Sequence, residues 1–281
     1  MLALALAATS SVVWGSGDFI AGALSRKHPV LTVASVAQVA SLAASTVVLL
    51  ALGESLPSGE PLYAALGAGA CGAVGLVALY RALAIGVMSI AAPISALAAV
   101  IPFVWGMAAG ESPKALQLFG AVLALSGAVL AAREPSHAPV SRERFRESVG
   151  LALVSAVALG FGLVLLGEAA PGGAMPVLVA DRIVTTLLIL PLALFRGQGP
   201  RGSLWVLAPM VAVGIFDTTA NALYIFAFNE GGLMSMIGVL ASLYPVTTVL
   251  LARGFLAERF ERHQAIGVIV ALAGVALVGV A

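Results

Sequence analysis

Charge is scarce in this sequence. Only 10% of its 281 residues are Asp, Glu, Lys or Arg, while 61% are hydrophobic; soluble domains average about 25% and about 45–50%. So few charges cannot cover a water-facing surface, so lipid must be the solvent for much of the chain. The formal net charge of +1 offers no concentrated basic face and so gives no support for a nucleic-acid partner. His28, His137 and His263 lie in connecting segments, far apart in sequence, and no His-Glu-x-x-His spacing occurs, which argues against a metal hydrolase. No acidic pair at helical spacing offers a divalent-metal site, and no Walker-type glycine loop is present. A membrane-embedded enzyme or an ATPase is therefore disfavoured, and neither metal nor cofactor is expected. The one cysteine, Cys71, sits in an apolar run. It can form no internal disulfide and reads as a small packing residue.

What abounds is Ala, Leu, Val and Gly, small and apolar residues that let helix backbones approach closely in a bilayer. Crossing the hydrocarbon takes about 17–25 residues of helix, and ten stretches reach or approach that length: Leu2–Gly22, Val30–Leu52, Leu62–Ala84, Ile90–Ala109, Ala115–Ala132, Val149–Leu166, Met175–Phe195, Leu204–Phe228, Leu233–Leu251 and Ala265–Ala281. Their length and Ala/Leu richness give helices, whereas a membrane barrel would show short alternating segments. The first stretch lacks the basic residue that normally precedes a signal-peptide core, so it is expected to stay as a span.

The ten stretches divide into two related sets of five. Glu111, Gln117 and Gly120 recur 147 residues later as Glu258, Gln264 and Gly267, and Gly127 then falls on Gly274. Ile94, Leu97 and Pro102 recur 143 residues later as Ile237, Leu240 and Pro245. Ala78-Leu-Tyr80 is echoed by Ala222-Leu-Tyr224, and Gly15 and Gly17 by Gly160 and Gly162. The expected organisation is a first repeat over 1–132, a charged linker over 133–147 and a second repeat over 148–281. Five is odd, so the second copy enters the membrane the other way round. The expected fold is an all-α integral membrane protein, ten transmembrane helices arranged as two inverted five-helix repeats, an architecture suited to carriers with a central site.

Several motifs make the likeness specific. Trp14-Gly-Ser-Gly-Asp-Phe19, Tyr80-Arg-Ala-Leu with Gly86, Ala92-Pro93-Ile-Ser-Ala-Leu97 and the Gly110–Gly120 series with its copy ending at Gly267 resemble the EamA-type transporters of the drug/metabolite transporter superfamily. The resemblance covers essentially the whole chain. It implies secondary transport of a small metabolite, amino acid or drug across the inner or plasma membrane, commonly outward and without ATP. It also implies a cavity lined by the first, third, fourth, sixth, eighth and ninth helices. A facilitative carrier or an uptake permease is the alternative. With both copies on one chain, a monomer suffices, although a dimer is compatible.

Orientation has two readings. Basic residues favour cytoplasmic loops, and 12 of the 14 Lys and Arg fall on one side, leaving Lys114 and Arg182. That bias puts the central linker inside and both termini outside, whereas the resemblance implies termini in the cytoplasm.

A charge within a span is costly and marks a functional candidate. Asp217 lies near the middle of the eighth span, and Asn221 and Tyr224 follow at helical spacing on the same face. Asp18 and Arg81 lie near one membrane surface and could pair as a gate. Asp181 and Arg182 are adjacent, so they leave the helix about 100° apart; Asp181 falls opposite Gln38 at the repeat offset, and both are expected to face the cavity. Pro93, Pro102 and Pro245 each free a carbonyl four residues back and are expected to bend the fourth and ninth helices around the site, near Ser95, Ser242 and Tyr244. Tyr80 and Trp14 complete the set, Trp14 as a platform for an aromatic or cationic ligand. If no cation from another helix reaches Asp217, its carboxyl could exchange protons for substrate.

Overall fold

The computed structural model describes residues 1–25, 27–84, 94, 97–131, 142–256 and 262–280; Pro93 and Ser95 lie outside them, and the side chains of Tyr80 and Pro245 are not described. Eleven α-helices are present among these residues: α1 (Leu2–Ser25), α2 (Val30–Leu52), α3 (Glu60–Ala84), α4 (Val100–Ala108), α5 (Ala115–Ala131), α6 (Arg142–Glu168), α7 (Ala174–Phe195), α8 (Leu204–Asn229), α9 (Met234–Ala241), α10 (Tyr244–Leu256) and α11 (Arg262–Val280). Short 3-10 turns at Leu97–Ala99 and Ala170–Gly172 lead into α4 and towards α7. Six helices, α1, α2, α3, α6, α7 and α8, are long and apolar enough to cross a membrane. Four shorter apolar segments, Leu97–Ala108, Ala115–Ala131, Met234–Thr248 and Arg262–Val278, overlap the other four expected stretches.

Large apolar side chains cover much of the surface, and small hydroxyl residues are buried beside an apolar core. Leu50, Leu187, Phe195, Trp205 and Ile269 are exposed, while Ser10, Ser35, Ser41, Ser45 and Thr185 are buried. Water would not tolerate so large an apolar exterior. Lipid does, and small hydroxyl residues then hold helices together from within. Ser10 donates across to the Ala220 carbonyl at 2.7 Å, and Ser41 and Thr218 share a hydrogen bond of 2.7 Å between α2 and α8.

Glycines seat the helices against one another in matched pairs. Gly17 of α1 leaves room for Phe216 and the Val213 carbonyl of α8; Gly162 of α6 leaves room for Cys71 and the Ala68 carbonyl of α3. Each residue of the second contact stands 145 positions from its counterpart in the first. Gly69 lies against the Asp181 carbonyl and Gly214 against the Ala37 carbonyl, and Gly15 faces Tyr244 and Thr247 as Gly160 faces Ala98 and Ile101. Between α5 and α11, Gly120 meets Gly274 and Gly127 meets Gly267, so equivalent helices of the two halves run antiparallel. Cys71 is partly buried and its Cβ lies at Gly162.

Three expectations need correction. First, the sixth helix begins at Arg142, inside the stretch read as linker, because Arg142-Glu-Arg-Phe-Arg-Glu147 is made of helix-forming residues. Second, the ninth expected span is broken, not bent: α9 ends at Ala241 and α10 starts at Tyr244. Pro245 cannot donate to the Ala241 carbonyl, and the Ser242 hydroxyl turns back to the Gly238 and Val239 carbonyls, which competes with the helical pattern. The chain passes the break on tighter bonds, Leu243 to Leu240 at 3.3 Å and Val246 to Leu243 at 2.9 Å. Third, the carbonyl that Pro102 frees, that of Ala98, is packed at Gly160, and the Pro102 ring lies on Gly238. Pro102 therefore joins helices and opens no binding carbonyl.

Candidate functional site

Position 217 of α8 faces α1, where an antiparallel helix brings Trp14 alongside. The Trp14 indole Nε1 donates to Asp217 Oδ1 at 3.2 Å, and Asn221 Nδ2 donates to the same oxygen at 2.9 Å and to the Asp217 carbonyl at 2.8 Å. Asn221, one turn along, is thus consumed in holding the acid. The other oxygen, Oδ2, lies 3.0 Å from Nη2 of Arg182 on α7. This contact is an ion pair by distance, but it lacks hydrogen-bond alignment, and Oδ2 and Arg182 Nε have no hydrogen-bond partner among the described residues.

Arg182 stands at the centre of the arrangement. It is the one buried basic residue among those described. Its Nη1 donates to Gln38 Oε1 of α2 at 3.3 Å and lies 3.4 Å from Asp181 Oδ2. Gln38 and Asp181 therefore do come together, each on the same guanidinium. The adjacency of Asp181 and Arg182 does not keep them apart as expected, because the long arginine chain can fold back on its neighbour. Sequence reasoning missed Arg182 as the hub. The available signal was arithmetic: a single basic residue stood within the spans of the second half beside two acids.

Asp18 follows Trp14 by one turn on α1. It is exposed and lies within electrostatic reach of Asp217 and Tyr244. The open side of the contact between α1 and α8, marked by Asp18, is termed the crevice. Asp217, a quarter exposed at its side chain, shares that opening. Three carboxyl groups, of Asp18, Asp181 and Asp217, surround one guanidinium.

Tyr224 does not face the crevice. It is fully buried, and its hydroxyl donates to the Leu163 carbonyl of α6 at 3.0 Å. Its ring lies 5.8 Å from that of Trp14 and 5.1 Å from that of Phe228, so it supports the indole from behind. Arg81 is not a partner of Asp18: its exposed side chain pairs with Glu147 at 3.2 Å. Ser242 is buried and turned onto its own helix. The charged contacts draw on the first, second, seventh and eighth spans, of which the first and eighth are among the six helices that the resemblance implied. A separate groove of about 590 Å³, lined by apolar residues including Cys71, Val157, Phe161 and Leu165, contains none of these charges.

With the geometry established, comparison with known proteins places the chain. The model of the EamA-like transporter family matches residues 1–133 and again residues 147–280. A solved crystal structure of a protein superposes with a TM-score of 0.79 at 20% sequence identity, covering 99% of this chain and 98% of that one; at that identity the likeness is one of fold. None of the curated proteins matches the chain in sequence. Two matches to one family model, one on each half, account for the paired glycine contacts: the chain is a multi-pass membrane protein and belongs to the EamA-like transporter family.

Proposed function

We propose that this protein is a secondary active transporter that exports a small metabolite, amino acid or drug by alternating access between two inverted five-helix repeats, with all ten apolar segments crossing the cell membrane. One observation carries the reading: the charged cluster takes Trp14, Asp18 and Gln38 from the first half and Asp181, Arg182 and Asp217 from the second. Rocking of one half against the other would change those contacts directly, which is what a site between repeats requires. Free proton exchange at Asp217 required that no cation reach it, and Arg182 does. Proton coupling, as part of this proposal, therefore moves to Asp18 at the crevice wall.

Counterflow in proteoliposomes is the test. Trans-stimulated exchange of a labelled solute supports a carrier, and ion currents at channel rates would refute it. Uptake driven only by the solute's own gradient, with no response to an imposed proton gradient, would support the facilitative alternative.

A further inference from the structure

We propose that the crevice binds an organic cation, an ammonium or guanidinium group on a small molecule, and that Arg182 is the resident counterion which that cation displaces from Asp217. The inference deepens the transport reading and rests on it for the use of the site, while the binding stands on its own geometry.

Asp217 Oδ1 is committed to Trp14 and Asn221. That leaves Oδ2, which is buried and has no aligned hydrogen bond, with Arg182 Nη2 3.0 Å away; an incoming cation reaches it only as Arg182 moves aside. Arginine–carboxylate pairs are frequently bidentate, two parallel N–H···O bonds from the planar fork. Here Nε, on a side chain only 8% exposed, has no partner among the described residues. The pairing is thus incomplete on both sides.

A second seat for the guanidinium already exists. Gln38 Oε1 at 3.3 Å and Asp181 Oδ2 at 3.4 Å both lie on Nη1, and both residues are buried. Arg182 can therefore leave Asp217 without becoming an unpaired buried charge, which would otherwise cost several kcal/mol. Asp181 gives the released arginine a full counterion, so Asp217 is left for an incoming positive charge.

The surroundings suit a cation. Asp18 sets a further carboxyl group within reach of Asp217. The indole of Trp14 turns its N–H edge to Asp217 and is backed by Tyr224, so a cation drawn to the carboxylate has an aromatic ring as a neighbour. A substrate anion would meet three carboxyl groups and an arginine already engaged by two of them.

The test uses the full chain in lipid nanodiscs, with Trp105 and Trp205 replaced by Phe so that Trp14 alone reports by fluorescence. Methylammonium and 2-phenylethylammonium are expected to change its emission saturably. The neutral 2-phenylethanol, the anionic phenylacetate, and sodium or potassium chloride at matched ionic strength are not. Asp217→Asn should weaken binding by about tenfold or more, and Arg182→Gln, which removes the competitor, should tighten it by about tenfold, or 1.4 kcal/mol. Arg182→Lys should bind with intermediate affinity. Equal response to the neutral and cationic probes, no saturable response to either ammonium, or weakening in Arg182→Lys would overturn the proposal even if Arg182→Gln does not fold. Saturable ammonium binding without counterflow would refute the transport reading and leave this one standing; counterflow of neutral or anionic cargo with no ammonium binding would do the reverse.

Discussion

Glu111 caps a helix that belongs to the other half of the molecule: its carboxylate accepts from the Met234 amide at 2.6 Å and from the Ser235 amide at 2.9 Å. Those amides open α9, where backbone N–H groups have no helical acceptor and the helix dipole favours negative charge. Replacing Glu111 by Ala should cost about 1–2 kcal/mol, lowering the thermal midpoint by roughly 2–4 °C. Gly106→Ala should act similarly, because a methyl there would strike the Glu111 carboxylate and the Ser235 amide. Unfolding curves in one detergent, read for both variants, check the pair.

Arg182 and Asp217 should be energetically coupled. Each single neutral substitution leaves charge behind in a poorly hydrated place, whereas Arg182→Gln with Asp217→Asn removes both ends of the contact. A double-mutant cycle should return a coupling of about 1–3 kcal/mol. A value indistinguishable from zero would mean that the 3.0 Å approach carries no energy.

Tyr224→Phe separates support from contact. It deletes the donor to the Leu163 carbonyl, which stays bonded within α6, so the loss is one hydrogen bond, about 0.5–1.5 kcal/mol. Because the ring stays behind Trp14, half-saturation for transport should stay within about twofold of wild type. A large rise would place the phenol on the transport path.

Asp18→Asn addresses coupling. If Asp18 carries the proton, this variant should bind cargo and support counterflow while no longer responding to an imposed pH gradient. Proteoliposomes loaded at one pH and diluted into another measure it directly, and an unchanged gradient response would remove Asp18 from that role.

The charge bias of the loops makes a prediction about orientation. Alkaline phosphatase fused after Ala281 should be active, with the Arg142–Arg146 end of α6 in the cytoplasm. A fluorescent cytoplasmic fusion at the same residue would reverse that orientation.

The spans and the twofold repetition were legible because lipid imposes long apolar runs and because helix contacts at Gly17, Gly69 and Gly120 need the same small residue in each copy. The alignment of Asp217 with Asn221 was legible from helical spacing alone. Less accessible was anything set by side-chain reach. Arg182 folds back on Asp181 and crosses to Asp217, which adjacency on a helical wheel cannot show. Tyr224 shares a helical face with Asp217 but points to Leu163, since a face some 10 Å wide can meet two different neighbours. The break before Tyr244 depended on Ser242 as well as Pro245, and the proline alone suggested only a bend.

The apolar exterior has a thermodynamic consequence. In a soluble domain, unfolding wets the apolar core and raises the heat capacity steeply. Here many large apolar side chains already face outward, and Ser, Thr, Gly and Ala are buried beside the larger core residues. Pulling these helices apart within a bilayer exchanges glycine-seated protein contacts for lipid contacts and exposes little new apolar surface to water. Calorimetry in lipid should therefore show a heat-capacity step well below the roughly 12–15 cal/mol/K per residue of soluble domains, and stability should curve only gently with temperature.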